Sequence, residues 1–178
     1  MNHLIPLNQK QKSLALTKLK TTSPREVTEK VVSSLKLTHN LKIEEQVSKD
    51  FDLLGYKLKD IEDLSAEQLA EAEKTIQFSM VALPIHDIEK ELLKTVAVMV
   101  KPSGETAEDV AFRVKCIAEE LSHYPADIML HTCKVIKSSG NFFPTLYEFK
   151  NVGDWHYEKR KNLLDMVQKS IKQLESNA

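Results

Sequence analysis

Three short segments of this sequence carry the signature of a helix start, and they constrain the fold more than any other feature. Each begins with Ser or Thr and has an acidic residue or Gln three positions later, so the two side chains can cap each other's backbone amides. The pairs are Ser23 with Glu26, Ser65 with Gln68, and Thr106 with Asp109. Apolar residues spaced three and four apart follow each pair, as in an amphipathic helix. The pattern indicates a chain built mainly of helices.

The composition points to the same fold class. Only four glycines and six prolines occur among 178 residues, while Leu, Lys, Glu and Ala recur throughout. All four are good helix formers. The hydrophobic fraction of 42% is enough for a folded core. We therefore predict an all-α fold, a small helical bundle of six or seven helices with a flexible basic N-terminal arm.

Charge and periodicity divide the chain into three predicted parts. Residues 1–42 hold eight basic and two acidic side chains, whereas residues 43–94 hold six basic and thirteen acidic ones. We expect residues 1–42 to be a basic, flexible arm with one short helix at about 24–36. An acidic helical segment is expected at 43–83. The compact core is expected at 84–178, including a long C-terminal helix.

Two glycines are expected to end helices. The first is Gly55, near the end of a weak helix predicted over 43–59. The second is Gly153, which should stop a short helix, after which Asp154 caps a long helix running to about Leu174. A stripe of apolar residues runs along this last helix: Tyr157, Leu164, Val167, Ile171 and Leu174.

No motif of an enzyme or metal site is present in the sequence. The signatures of zinc proteases, nucleotide-binding loops and serine hydrolases are missing, and no two histidines have the spacing of a helical zinc site. We expect no catalytic, cofactor-binding or metal-binding residues, and thus no enzyme. Cys116 and Cys133 lie in apolar helical stretches, where two buried thiols are favoured over a disulfide.

The sequence also predicts no contact with a membrane. The first residues lack the basic and hydrophobic regions of a signal peptide. The longest apolar run, Val96–Val100, has five residues, far fewer than the roughly 20 that span a bilayer. A cytoplasmic protein is expected.

Two basic features permit contact with nucleic acid. The lysines of the arm either touch phosphate groups, or rest on the acidic segment that follows them or are simply solvated. Lys159, Arg160 and Lys161 stand beside Trp155 and Tyr157, which either stack on bases or pack on the core while the basic groups face water. The isoelectric point is about 6.6, whereas DNA-binding domains typically exceed about 9.

Two successive prolines, Pro125 and Pro144, each stand beside aromatic residues and open a predicted helix. The surrounding sequences are YPADI at 124–128 and GNFFPTLYEF at 140–149. This arrangement resembles small phage and prophage replication accessory proteins of the helicase loader and inhibitor type, over about residues 106–153. The resemblance implies an all-helical protein without ATPase motifs that binds a replicative DNA helicase in phage-type DNA replication.

The function implied by that resemblance is a non-enzymatic adaptor, acting as a loader or an inhibitor. Its grip on the helicase is expected in the arm, with Val27, Val31 and Leu35 as anchors of a helix that lies in a groove of the partner. Two alternatives stay open. One is a nucleic-acid-binding regulator that uses the basic arm and Lys159, Arg160 and Lys161. The other is a structural or oligomerising protein that uses the C-terminal stripe as a coiled-coil seam.

Overall fold

The computed structural model describes residues 9–10, 22–140 and 142–177. Between residues 24 and 177 it contains six helices and one β-hairpin. The helices are α1 (Pro24–Thr38), α2 (Ala66–Ser79), α3 (Ile85–Val96), α4 (Ala107–Glu120), α5 (Ala126–Ser139) and α6 (Leu146–Asn177). The strands are β1 (Lys42–Val47) and β2 (Leu53–Lys59), and a 3₁₀ turn covers Ile61–Asp63. The flexible tail predicted for residues 1–22 lies, apart from residues 9–10 and 22, outside the described residues.

The three predicted helix starts are confirmed. The Ser23 hydroxyl accepts a hydrogen bond from the amide of Glu26, whose carboxylate accepts one from the Ser23 amide, both at 3.3 Å. The pairs beginning at Ser65 and Thr106 form the same reciprocal cap. Pro24 is the first residue of α1. Each cap pairs backbone donors that a helix N-terminus leaves without partners.

The helix predicted over 43–59 is wrong, because this segment forms the hairpin. Its strands are antiparallel, with Lys42 opposite Lys59, and the register is irregular between Gln46 and Val47. In β2 the side chains alternate between buried and exposed over residues 56–59, which is the period of a strand. The all-α prediction is therefore correct only in part, because the described residues are mostly helical but include a two-stranded antiparallel sheet.

The break predicted at Gly153 is also wrong, because α6 runs without interruption for 32 residues. A Cβ atom at Gly153 would overlap the ring of Tyr124 and lie 3.2 Å from the Thr132 hydroxyl. Glycine therefore permits close packing of α6 against α5 and the segment before it. Asp154 does not begin a helix, and its carboxylate accepts a hydrogen bond from the Tyr124 hydroxyl. Burial, followed by this contact, raises the pKa of Tyr124.

Two apolar cores stand side by side along α6. The helical core joins α3, α4 and α5 to the first half of α6, and it contains Ile88, Leu92, Val114, Leu121, Ile128, Met129 and Phe149. The hairpin core joins α1, the hairpin and α2 to the second half of α6, and it contains Leu35, Tyr56, Leu58, Leu69, Ile76, Leu163 and Val167. Helix α6 contributes residues to both cores and so connects them.

The cysteines differ in their surroundings. Cys133 is buried and Cys116 is exposed, so the prediction of two buried thiols is correct only for Cys133. Burial raises the pKa of the Cys133 thiol to about 12. Among the described residues, none of the helices combines the length and the apolar character that crossing a membrane requires.

Candidate functional site

The predicted partner anchors are buried inside the protein. Val27 belongs to the helical core, while Val31 and Leu35 belong to the hairpin core. Their stripe on α1 is thus covered by the chain's own elements. The prediction that they are exposed to a partner is wrong, because an amphipathic helix buries its apolar face wherever the fold supplies a surface.

Arg160 is the largest fully buried side chain of the chain's described part. Its guanidinium donates two hydrogen bonds to the carboxylate of Asp127, at 2.9 and 2.7 Å. It also donates to the backbone oxygens of Ser79 at 2.9 Å and Pro24 at 3.1 Å, and to the hydroxyl of Thr28 at 3.3 Å. The prediction that Arg160 contacts nucleic acid is wrong, since no phosphate can reach it.

These bonds make Arg160 the joint between the two cores. Its partners lie at the start of α1, the end of α2 and the start of α5, so one side chain on α6 fixes the positions of three other helices. A buried charge is tolerated when it is paired and fully hydrogen-bonded. Asp127 and the two carbonyl oxygens meet that requirement.

The neighbouring lysines point elsewhere, because successive residues of a helix face directions about 100° apart. The Lys159 ammonium donates to the backbone oxygen of Leu54 at 3.0 Å and stands 5.5 Å from the centre of the Trp155 ring. The Lys161 ammonium lies 6.0 Å from the centre of the Tyr157 ring. Lys159, Arg160 and Lys161 therefore form no common basic surface.

The outer edge of β2 is closed by polar side chains of α6. The Asn162 side-chain oxygen accepts the amide of Tyr56 at 2.7 Å, and Lys159 takes the carbonyl of Leu54 on the same edge. A Cβ atom at Gly55 would lie 2.5 Å from that Asn162 oxygen. Gly55 thus allows α6 to approach β2, and the covered edge is protected from pairing with another strand.

A cleft of about 360 Å³ opens between α1, the hairpin and α6. Helix α1 contributes Arg25 and Glu29 to its walls, and α6 contributes Trp155, His156 and Lys159. The His156 ring lies 4.8 Å from Trp155 and 5.2 Å from His131. Burial, helped by the neighbouring His131 and Arg160, lowers the pKa of His156 below its ordinary 6.5. His156 is therefore neutral at pH 7, and together with Trp155 it gives this side of the cleft an aromatic wall.

The loop of the hairpin forms the opposite rim and presents Phe51 to solvent. The Ser48 hydroxyl accepts the amides of Asp50 and Asp52, and the Ser48 carbonyl accepts the amide of Phe51. These bonds hold Phe51 in the left-handed region, with a φ of 65°. Its side chain is 88% exposed. A bulky residue is rarely found there, because its Cβ makes this conformation unfavourable by about 1 kcal/mol or more.

Apolar side chains surround the mouth of the cleft. Val47 is 53% exposed and Trp155 is 48% exposed, and both line the cleft together with Phe51. A contiguous apolar patch with charged residues at its edge is typical of a protein–protein contact. Further exposed aromatic side chains, Phe112 on α4 and Phe142 before α6, do not line the cleft.

The charges of the cleft are unevenly paired. Arg25 bonds the Glu29 carboxylate at 2.8 Å, while Glu45 and Asp52 form no ion pair with any described residue. Burial, followed by the charges of Glu45 and Glu29, raises the pKa of Tyr56 to about 12. The lining of the cleft therefore holds three carboxylates against two cationic side chains.

The comparisons with known proteins do not identify this site. The chain matches no protein-family model, no curated protein and no solved structure at a significant level of similarity. Within the described ranges, no group of three or more His, Cys, Asp or Glu side chains is arranged to hold a metal ion. The cleft was missed by sequence reasoning, although the alternation at residues 56–59 was a signal for the strand that forms its floor.

Proposed function

We propose that this chain is a non-enzymatic adaptor that binds another protein through the cleft and the apolar rim around it. The supporting observation is Phe51, an exposed aromatic residue at the tip of an ordered hairpin. The partner is a replicative DNA helicase, in agreement with the resemblance of residues 106–153 to helicase loaders and inhibitors. The partner-binding surface, which the sequence analysis expected on α1, is here proposed to lie on the hairpin.

Phe51 supports a binding role because its conformation and its exposure do not stabilise the fold. The left-handed backbone makes a bulky residue unfavourable, and the ring, 88% exposed, buries little apolar surface in the chain itself. Backbone strain of this kind clusters at functional sites, where a partner supplies the missing contacts. Aromatic side chains that enter a partner's pocket contribute most of the binding energy of many interfaces.

The alternative functions gain no comparable support. The stripe expected to form a coiled-coil seam faces inward, since Val167 is fully buried and Ile171 and Leu174 pack against the hairpin core. Arg160 is fully buried, so it is not accessible for a nucleic-acid contact through residues 159–161. The adaptor therefore remains the function that the geometry supports best.

The test uses the full chain as bait for a replicative helicase in host lysate, with recovery measured by mass spectrometry. We expect wild type to retain the helicase and a Phe51→Ser, Val47→Ser double variant, which changes two exposed residues of the lining, to recover at least tenfold less of it. Phe112→Ser is the matched control, because Phe112 is 70% exposed and lies outside the cleft. Equal recovery by the double variant would contradict the proposed surface. Recovery of only salt-released nucleic acid would favour the regulator instead.

A further inference from the structure

The pairing of charges in the cleft indicates what kind of side chain enters it. Three carboxylates and two cationic groups line it; Arg25 is paired with Glu29, whereas Lys159 donates to the neutral Leu54 carbonyl and stands over the Trp155 ring. The carboxylates of Glu45 and Asp52 are exposed and make no ion pair with any described residue. The lining therefore carries one negative charge in excess, which favours a cationic ligand.

The aromatic walls specify the cation further. Trp155 and Tyr56 line the cleft together with Phe51, and aromatic faces attract guanidinium and ammonium groups. A guanidinium also stacks flat on an aromatic ring and bonds carboxylates through two N–H groups at once. An arginine side chain can place its apolar stem along the aromatic rings and its guanidinium against the carboxylates. A phosphate or a nucleotide would instead face the unpaired carboxylates.

We propose that the cleft binds an arginine side chain of the partner, with apolar residues on either side of that arginine covering Phe51 and Val47. This inference rests on the proposed function and adds the chemistry of the partner segment. Glu45 and Asp52 accept the guanidinium beside Trp155, which lines the same cleft. The exposed apolar rim then holds the flanking residues by burial of their surface.

The chain provides its own reporter for a direct test, because Trp155 is its only tryptophan. The probe is a blocked Ala-Leu-Arg-Leu-Ala peptide, titrated into the full chain while the tryptophan fluorescence is followed. A matched peptide carries citrulline, the neutral analogue of arginine. We expect the arginine peptide to bind saturably. The dissociation constant of the citrulline peptide should be about tenfold larger, which corresponds to the loss of one charge-assisted contact.

The protein variants keep the shape of the cleft and remove its charge. Glu45→Gln with Asp52→Asn should weaken the arginine peptide about tenfold and leave the citrulline peptide unchanged. The control is Glu62→Gln with Glu119→Gln, which removes two exposed carboxylates outside the cleft. Circular dichroism checks that all variants are folded.

Several results would overturn the inference. These are equal affinity for the two peptides, no saturable response at millimolar peptide, or tighter binding of inorganic phosphate than of the arginine peptide. A fluorescence shift caused by Lys18→Gln and Lys20→Gln without peptide would assign the cleft to the chain's own basic segment. If the wild-type chain captures no helicase but still binds the arginine peptide more tightly than the citrulline peptide, the helicase is rejected as the partner and the arginine site stands. If the chain captures the helicase but binds the two peptides equally, the arginine site is rejected and the helicase-binding function stands.

Discussion

The helical core and the hairpin core differ in how far along the chain their contacts reach. Apart from Val27, the helical core is assembled from residues 83–149, so each helix packs on near neighbours in sequence. The hairpin core combines residues 31–76 with Leu163 and Val167. In the first region the helices were predicted apart from the false break at Gly153. The hairpin was predicted as a helix, because its strands are held in place by side chains about 100 residues away. Local pattern describes a structure well only where its contacts are local.

Arg160 connects the two regions, so its removal should have the largest effect. Arg160→Met leaves the Asp127 carboxylate buried without a cation, which we expect to lower the free energy of unfolding by about 3–5 kcal/mol. Urea denaturation followed by circular dichroism measures the loss. The Arg160→Met, Asp127→Leu double variant should lose less than Arg160→Met alone, since no charge is then left unpaired. A loss below about 1 kcal/mol in the single variant would show that Asp127 is reached by water.

Gly153→Ala tests the packing of the helical core. A helix interior favours Ala over Gly by about 1 kcal/mol, but the added methyl group would overlap the Tyr124 ring. We expect overpacking to dominate, with a net loss of about 2 kcal/mol in urea denaturation. Asn151→Ala, an exposed position on the same helix, is the control and should change stability by less than about 0.5 kcal/mol. A gain for Gly153→Ala would mean that Tyr124 moves aside freely.

Gly55→Ala is the corresponding test in the hairpin core. The new methyl group displaces Asn162 and leaves the amide of Tyr56 without its acceptor, a loss of about 1–2 kcal/mol. In the Asn162→Ala background the overlap is absent, so Gly55→Ala should then cost less. A thermal-denaturation cycle over the four proteins measures this coupling. Additive effects would indicate that α6 does not restrict Gly55.

Phe51→Asn should have the smallest effect on stability and the opposite sign. Asn tolerates the left-handed conformation better than Phe, so the free energy of unfolding should rise by about 0.5–1 kcal/mol. The same variant should bind the partner more weakly, because the exposed ring is lost. Denaturation and helicase capture measured on one preparation check both effects. A loss of stability would show that the Phe51 ring contributes to the fold itself.

Much of the helical framework could be predicted from the sequence, but little of the candidate site could. The start of α1 at Pro24 and the caps at Ser65 and Thr106 follow from residues within four positions of each other. The cleft requires α1, the hairpin and α6 to meet, and no local pattern contains that information. Gly55 and Gly153 were interpreted as helix ends because glycine's weak helix propensity is a local property, whereas their role in close packing is not.

The sequence by itself determined where the capped helices begin, since capping and periodicity depend on neighbouring residues. Only the tertiary structure decided that Arg160 is buried, that residues 42–59 form strands and that Phe51 and Trp155 border one cleft. A side chain's exposure depends on what packs over it. For Arg160 those neighbours come from Pro24, Ser79 and Asp127, which the fold alone brings together.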